Sequence, residues 1–242
     1  MSDINAATTD RSTTDEQARR LDAALASASP AAVVEAALRA AGREHLAVVS
    51  SFGTESAVLL KIVSDVDPAT PIVFLDTGWL FEETRAYRDE LAALLNLSDV
   101  RTIHPDAGKL ERDDSSGDLW FSDPDRCCAI RKVEPLKRAL APFSAWINGR
   151  KRFQGGLRAD IPVVESDGAR LKFNPLAHVT PHELRAIFEQ AKLPRHPLQA
   201  KGFASIGCMP CTSRTVSGEE SRAGRWRDRG KTECGIHTMA VS

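Results

Sequence analysis

The stretch HLAVVSSFGTESAVLLKIVSDVDPATPIVFLDTG, residues 45–78, decides the fold of this 242-residue chain. It opens on a short apolar strand, His45–Ser50, and turns through small residues that carry hydroxyls. An amphipathic helix over Thr54–Val66 follows, and then a second apolar strand, Pro71–Leu75. Two strands that need burial on both faces, with a helix between them, make a parallel βαβ unit. The alternation continues with a helix over Phe81–Leu97, a strand over Val100–His104 and an acidic, loop-rich stretch over Pro105–Asp125. A helix over Cys127–Ala141, which Pro135 must bend, precedes strands at Ala145–Asn148 and Arg170–Phe173. Thr180-Pro181-His182-Glu183 has the spacing of a capping box and starts a helix to about Lys192. Upstream, helices are expected over Asp15–Ala28 and from Ser29-Pro30 to Gly42. The expected class is α/β, a doubly wound and mostly parallel sheet. Residues 1–14 read as a disordered lead-in, and 15–192 as a nucleotide-binding domain that includes the N-terminal helices. Residues 193–242 lose periodicity to Gly, Pro, Ser and Arg and read as a C-terminal functional tail laid over the sheet.

Composition narrows the function. With 42% hydrophobic and 27% charged residues the chain is neither disordered nor fibrous. No apolar run approaches ~18 residues, which excludes a membrane span. The start carries Asp3 and Asp10 with no basic-then-apolar leader, so the expectation is a cytoplasmic protein. Residues 1–125 carry a net charge of −12 and residues 126–242 one of +11. That asymmetry points to an anionic partner for the second half, or to two surfaces that attract each other on folding. A single Tyr and a near-neutral chain argue against extended nucleic-acid binding.

In a doubly wound sheet, ligands bind beyond the carboxyl ends of the strands, where helix N-termini offer free N–H groups. Ser51, Phe52, Gly53, Thr54, Glu55 and Ser56 leave the first strand there, and Asp76, Thr77 and Gly78 leave the second. Such turns can cradle a phosphate or sulfate, with Asp76 accepting from a ribose hydroxyl or the adenine edge. Ser and Thr also serve as ordinary caps. A G-x-G-x-x-G and a Walker lysine loop are both absent. Two cationic clusters follow, Arg150-Lys151-Arg152 with Arg158, and Arg214 with Arg222, Arg225 and Arg227. Arginine forks around a small anion fit them better than a polynucleotide does.

Five cysteines without a leader argue for metal binding or catalysis over a disulfide framework. Cys127-Cys128 and Cys208-Met209-Pro210-Cys211 can supply four thiolates to zinc or to an iron–sulfur cluster. Adjacent cysteines suit the separate corners of a cubane better than a zinc knuckle; buried structural thiols are the plain alternative. Cys234, between Lys231 and His237, has cationic help toward the nucleophilic thiolate. A free cysteine on a frayed terminus is the alternative there.

With these residues in view, the sequence resembles the assimilatory adenylyl-sulfate reductases, the iron–sulfur branch of the phosphoadenylyl-sulfate reductase family. The likeness runs from about Ala47 to His237 through SFGTES, LDTG, CCAIRKVEPLKRAL, the arginine loop, FNPLA, HPL, GFASIGCMPCT, RAGRW and ECGIH. The resemblance implies a sheet of the adenine-nucleotide alpha-hydrolase, or PP-loop-like, type. It implies attack by Cys234 on the sulfur of adenosine 5′-phosphosulfate, loss of AMP and a cysteine S-sulfonate. Thioredoxin, or a glutaredoxin-like thiol donor, would then release sulfite. Lys132, Gly149, Lys151, Arg158, Arg222, Arg225 and His237 would join the two strand-end turns around the substrate. Cys127, Cys128, Cys208 and Cys211 would hold a [4Fe-4S] cluster that tunes the site and carries no electrons. Lys151 stands where the family has arginine, and Phe153 where it has a polar residue, which leaves open which cation meets the sulfate. The same chemistry on 3′-phosphoadenylyl sulfate is the nearest alternative. An ATP-using adenylyltransferase or pyrophosphatase lacks its S-G-G-x-D-S loop here, and a zinc-stabilised binding module leaves ECGIH unexplained. A homo-oligomer remains open.

Overall fold

Period-two burial sorts the strand residues between the two faces of one sheet. The strands are β1 (Leu46–Val49), β2 (Ile72–Leu75), β3 (Val100–Ile103), β4 (Ala145–Ile147), β5 (Val164–Asp167) and β6 (Arg170–Phe173). Their order is β3-β2-β1-β4-β6-β5, parallel throughout except for the antiparallel β5–β6 pair. The computed structural model describes residues 2–168 and 170–237, with side chains from residue 12 onward. Leu46, Val48, Ile72, Phe74, Ala145 and Ile147 face the larger core, while Ala47, Val49, Val73 and Trp146 face a smaller one.

Helices α2 (Pro30–Ala41), α3 (Ser56–Val66), α4 (Glu82–Leu94) and α9 (Pro181–Gln190) contribute to the larger core. The smaller core is closed by Leu136 of α8 (Glu134–Ala139), with Leu140 and Phe143 just beyond it. Ser29 caps α2 through the N–H of Ala32, and Thr180 and Glu183 form the expected capping box of α9. Short helices α5 (Ala107–Asp113), α6 (Leu119–Ser122) and α7 (Pro124–Cys128) fill the acidic stretch between β3 and α8.

Three elements differ from the sequence reading. Helix α1 spans Ser2–Leu25 and so takes in most of the stretch expected to be a disordered lead-in, Met1 lying outside the described residues. It packs along β5, where the Asp22 carboxylate accepts the N–H groups of Val163 and Val164 at 2.7 and 3.1 Å. That contact covers the edge of the sheet. Strand β5 was not anticipated, because Glu165, Ser166 and Asp167 give a polar run that reads as loop. Finally, the helix expected over Cys127–Ala141 is α7, a π turn over Ala129–Val133, and α8. Pro135 has no N–H to give to the turn before it, and the wider π turn absorbs that loss.

From β1 the chain crosses to β2 on one side, and β4 pairs on the other. The reversal opens a crevice at the carboxyl ends of β1 and β4. Beyond Leu193, the described residues form short 3-10 turns at Pro197–Lys201 and Met209–Cys211 and isolated bridges from Cys208 to Leu80 and from Thr212 to Arg225. This segment is nonetheless anchored, with Leu198, Ile206, Cys208, Cys211 and Trp226 buried. Backbone hydrogen bonds from Ser213 to Gly224 and from Trp226 to Cys211, at 2.8 and 3.1 Å, fold it on itself.

Candidate active site

The turn after β1 forms the floor of a cleft enclosing about 1230 Å³, part of it open to solvent. Ser51, Gly53, Thr54, Glu55 and Ser56 line it. Phe52 does not: at φ +48° it turns its ring into the core, edge-on to Phe74 at 5.3 Å. A non-glycine residue in that conformation costs about 1–2 kcal/mol, and complete burial of the ring offsets the cost. Ser56 Oγ accepts the N–H of Gly53 at 2.9 Å, and Thr54 donates to the carbonyl of Ala204 at 2.8 Å, which fastens the turn to the C-terminal segment.

From the turn after β2, Thr77 reaches the cleft, whereas Asp76 and Gly78 do not line it. Asp76 receives a two-pronged contact from Arg85 at 2.8 and 3.0 Å and the N–H of Gly78 at 3.0 Å. Burial pushes its pKa up, but the Arg85 and Gly78 hydrogen bonds outweigh burial and hold it below the ordinary carboxylate value. Its oxygens are committed to closing the turn instead of facing a ribose.

Six cations and two carboxylates line the cleft. Lys151 is almost fully buried and bonds to Glu55 Oε2 and to the carbonyl of Gly149, at 2.8 and 3.0 Å. Gln154 donates to the same Glu55 oxygen at 2.8 Å. Arg150 is tied to Glu165, Asn148 and Asn174. Arg158 and Arg222 converge instead on Glu233, with Arg158 Nη2 at 2.8 Å and Arg222 Nη2 at 3.3 Å. Burial, followed by repulsion from Arg158, pushes both Arg150 and Arg222 down to about 10. Both stay charged at neutral pH, so the cleft holds mutually repelling guanidiniums that an anion would relieve. Arg225 reaches the cleft past Gly207, where a Cβ would stand 2.2 Å from Nη2; only glycine allows the approach.

A second, smaller cavity of about 310 Å³, open space included, is lined by Cys127, Cys128, Cys208 and Cys211 with Trp79, Trp120, Pro124, Pro210, Arg131 and Lys132. All four cysteines are buried and free. Cys208 is fixed by the Thr77 hydroxyl at 3.2 Å and by a β-bridge to Leu80. Burial pushes the Cys127 thiol up to about 12 and Cys128 to about 11. At Cys208, burial is outweighed by Lys132, the Thr77 hydrogen bond and Arg225, which hold the thiol below its ordinary value. The π turn carries Lys132 between the two cavities, and it lines both. Burial opposes its charge, but Cys208 and Cys234 together raise its pKa above the ordinary lysine value. Among the described residues, no three His, Cys, Asp or Glu side chains converge on one point as a single metal ion needs.

The chain's last described residues close the cleft. Cys234 is half-buried and lines it, as does His237. His237 Nδ1 is buried without a partner, and burial followed by the charges of Arg150 and Lys172 holds the ring neutral. Glu233 is ionised: burial pushes its pKa up, but the Arg158 hydrogen bond and the arginine charges bring it below the ordinary value. The structure thus gathers into one cleft the expected Ser51, Gly53, Thr54, Glu55, Ser56, Thr77, Lys132, Gly149, Lys151, Arg158, Arg222, Arg225, Cys234 and His237. Sequence reasoning named Arg150 only as one of a cationic cluster and missed Glu233 and Gln154. Glu233 was visible as the neighbour of Cys234, but nothing local marks it as the partner of Arg158, 75 residues away.

A doubly wound sheet, a cationic cleft at its switch point and a cysteine on the segment covering that cleft define a nucleotide-type anion-binding protein with a thiol at the site. The model of the phosphoadenosine phosphosulfate reductase domain matches residues 45–214, and the chain belongs to that family. An adenosine 5′-phosphosulfate reductase of Mesorhizobium japonicum is 47% identical over 225 residues, covering 93% of this chain and 89% of the relative. A phosphoadenosine 5′-phosphosulfate reductase of Gloeobacter violaceus is 42% identical, covering 86% and 88%. Among solved structures, phosphoadenylyl-sulfate reductase from Candida auris superposes with a TM-score of 0.68 at 24% identity, covering 83% of this chain and 97% of that one. The expected fold class is borne out.

If Glu233 fills the arginine fork in place of a ligand, Glu233→Gln should free it. Titration calorimetry with inorganic sulfate is expected to show binding tighter by about fivefold, the equivalent of ~1 kcal/mol. Unchanged or weaker binding would mean that Arg158 and Arg222 are not available to an anion.

Proposed function

We propose that the protein reduces adenosine 5′-phosphosulfate to sulfite and AMP, supplying sulfite to cysteine synthesis in sulfate assimilation. The observation that carries this reading is the presence of Cys234 in the same cleft as Arg158 and Arg222. The Cys234 thiolate attacks the sulfonyl sulfur, a Cys–S–S bond forms, and the bond from sulfur to the bridging oxygen breaks. AMP departs with that electron pair, and the cysteine carries an S-sulfonate. An external thiolate then attacks the Cys234 sulfur and expels sulfite. A second thiol on the donor resolves the mixed disulfide, so the donor loses two electrons and Cys234 is regenerated. A thioredoxin or a glutaredoxin-like protein has that pair of thiols.

Developing charge on the leaving phosphate calls for donors already in place. Arg158 and Arg222 supply forks there once Glu233 moves off, whereas Lys151 remains committed to Glu55. This assigns the sulfate-facing cations to the arginines and gives Lys151 the role of bracing the β1 turn. Lys132 brings its positive charge to the cleft that Cys234 lines, and the orphan Nδ1 of His237 is left for a substrate oxygen. Phe52, Asp76 and Gly78 support the site from outside the lining.

The second cavity fits a [4Fe-4S] cluster by its donor set: four buried thiols and no carboxylate or imidazole. The adjacent Cys127 and Cys128 suit separate iron corners better than the shared shell of one zinc ion. When bound, the cluster supplies a fixed charge that tunes the field beside Lys132. Free thiols throughout suit a reducing compartment, which supports a cytoplasmic location. Among the described residues, no helix is long and apolar enough to cross a membrane. The name of the Gloeobacter relative favours one second reading, the same chemistry on the 3′-phosphorylated substrate.

Two variants separate the roles. Cys234→Ser is expected to keep its iron and bind AMP normally while thioredoxin-dependent sulfite release falls at least about a thousandfold; residual turnover near the parent level would refute the nucleophile. Cys208→Ser is expected to lose iron and activity together, read by metal analysis and sulfite release. Full activity without iron would remove the cluster from the reading.

A further inference from the structure

Neighbouring strands place three side chains in a row on the face of the sheet where the described chain ends. Trp146 of β4 stands opposite Lys172 of β6, and Lys172 stands opposite Glu165 of β5. Lys172 is 2% exposed, in the middle of a strand, and is not among the residues lining the cleft. Its Nζ donates to the carbonyl oxygen of His237 at 3.2 Å, lies 3.3 Å from Glu165 Oε1 and sits 5.0 Å from the centre of the Trp146 ring. The His237 imidazole stacks on Trp146, with centroids 5.9 Å apart and planes within 4°. Ile236 packs into the same small core. Trp146 is itself fixed by its Nε1, which donates to Asp167 at 3.0 Å. A buried amine is expensive to desolvate, so its position against one backbone carbonyl of the terminal segment needs a purpose. Burial, followed by repulsion from Arg150, pushes Lys172 down to about 7, and the amine donates a hydrogen bond in either protonation state.

Of the holds on the terminal segment, which include the Thr232 carbonyl on Arg222 and Lys231 on Asp125, two bear on Cys234 most directly. One is Glu233, on the same arginines that the substrate's anion requires, and binding must break it. The other is His237, whose partners bind no substrate anion. We propose that Lys172, with Trp146, is a positioning residue that seats the terminal segment through His237, keeping Cys234 over the cleft after the substrate displaces Glu233. The inference rests on Cys234 being the nucleophile.

Chain reach gives the scale of the effect. Two residues separate Cys234 from His237, a span of at most about 10 Å; on the other side the Thr232 carbonyl, held by Arg222, is about 7 Å of chain away and Lys231, paired with Asp125, about 10 Å. With His237 released, Cys234 is tethered from one side only and loses its orientation over the cleft. Misplacing the thiol in this way is expected to cost roughly tenfold in the rate of transfer.

The experiment uses the iron-loaded full chain and Lys172→Met, which removes the donor, beside Lys172→Gln, which keeps one. Single-turnover S-sulfonate formation is followed by intact mass, AMP affinity by calorimetry, and hydrogen exchange over residues 230–237 with and without AMP. Lys172→Met is expected to form adduct about ten times more slowly at unchanged AMP affinity. Its tail should exchange faster once AMP is bound, and Lys172→Gln should recover most of both. Parent-like rate and exchange in Lys172→Met would overturn the seat, as would a fall in AMP affinity that matches the fall in rate. If Lys172→Met does not fold, Trp146→Phe, which shrinks the ring under His237 and leaves Glu165 with Arg150, carries the same expectations. If the parent forms no adduct at all, the proposed reaction falls, while the exchange arm still decides the seat.

Discussion

Strand β1 is paired in parallel on both sides, and most of the site depends on that placement. With β2 on one edge and β4 on the other, every residue from Leu46 to Val49 must be apolar, because both faces are covered. The chain leaves β1 and β4 toward different neighbours, so their carboxyl ends cannot be closed over by a shared connection. The serine-rich turn meets the arginine loop across that gap. Neither element would form a pocket alone. Lys151 reaching Glu55 joins them into one wall.

Charge then determines what the cleft can hold. Arg150, Arg158 and Arg222 crowd together where water is scarce, and their mutual repulsion is only partly met by Glu165 and Glu233. Buried guanidiniums with an incomplete set of counter-charges make a site for a compact polyanion. Glu233 acts as an internal anion until one arrives. Because it is the residue before Cys234, occupation of the arginines and placement of the thiol are mechanically linked. Lys132 links the thiol cavity to the cleft by lying between them.

Much of this was legible in the chain. The apolar strands around SSFGTES gave the βαβ pattern because burial on both faces leaves no other reading. Thr180 and Glu183 declared their helix through capping chemistry alone. The four cavity cysteines and Cys234 stood out because an adjacent pair, a C-x-x-C and a cysteine between Lys231 and His237 are patterns of metal binding or catalysis. What was hidden depended on distance. Asp76 looks like a ligand residue at a strand end, yet Arg85, 9 residues on in α4, takes both its oxygens. Strand β5 has no apolar alternation, since one side of it meets α1 through polar contacts at Asp22. Nothing in its short strand singles out Lys172, and only the register of β4, β5 and β6 shows it buried beneath the terminal segment.

The central claim is that Cys234 takes the sulfonyl group from adenosine 5′-phosphosulfate without help from any external thiol. The most direct measurement is a single turnover of anaerobically purified, iron-loaded protein with that substrate and, separately, with its 3′-phosphorylated analogue. Intact mass and peptide mapping follow, with no reductant present. The expected result is one sulfonate on the peptide containing Cys234 with the first substrate, and AMP released in equal amount. No adduct with either substrate, or an adduct on any other cysteine, would contradict it.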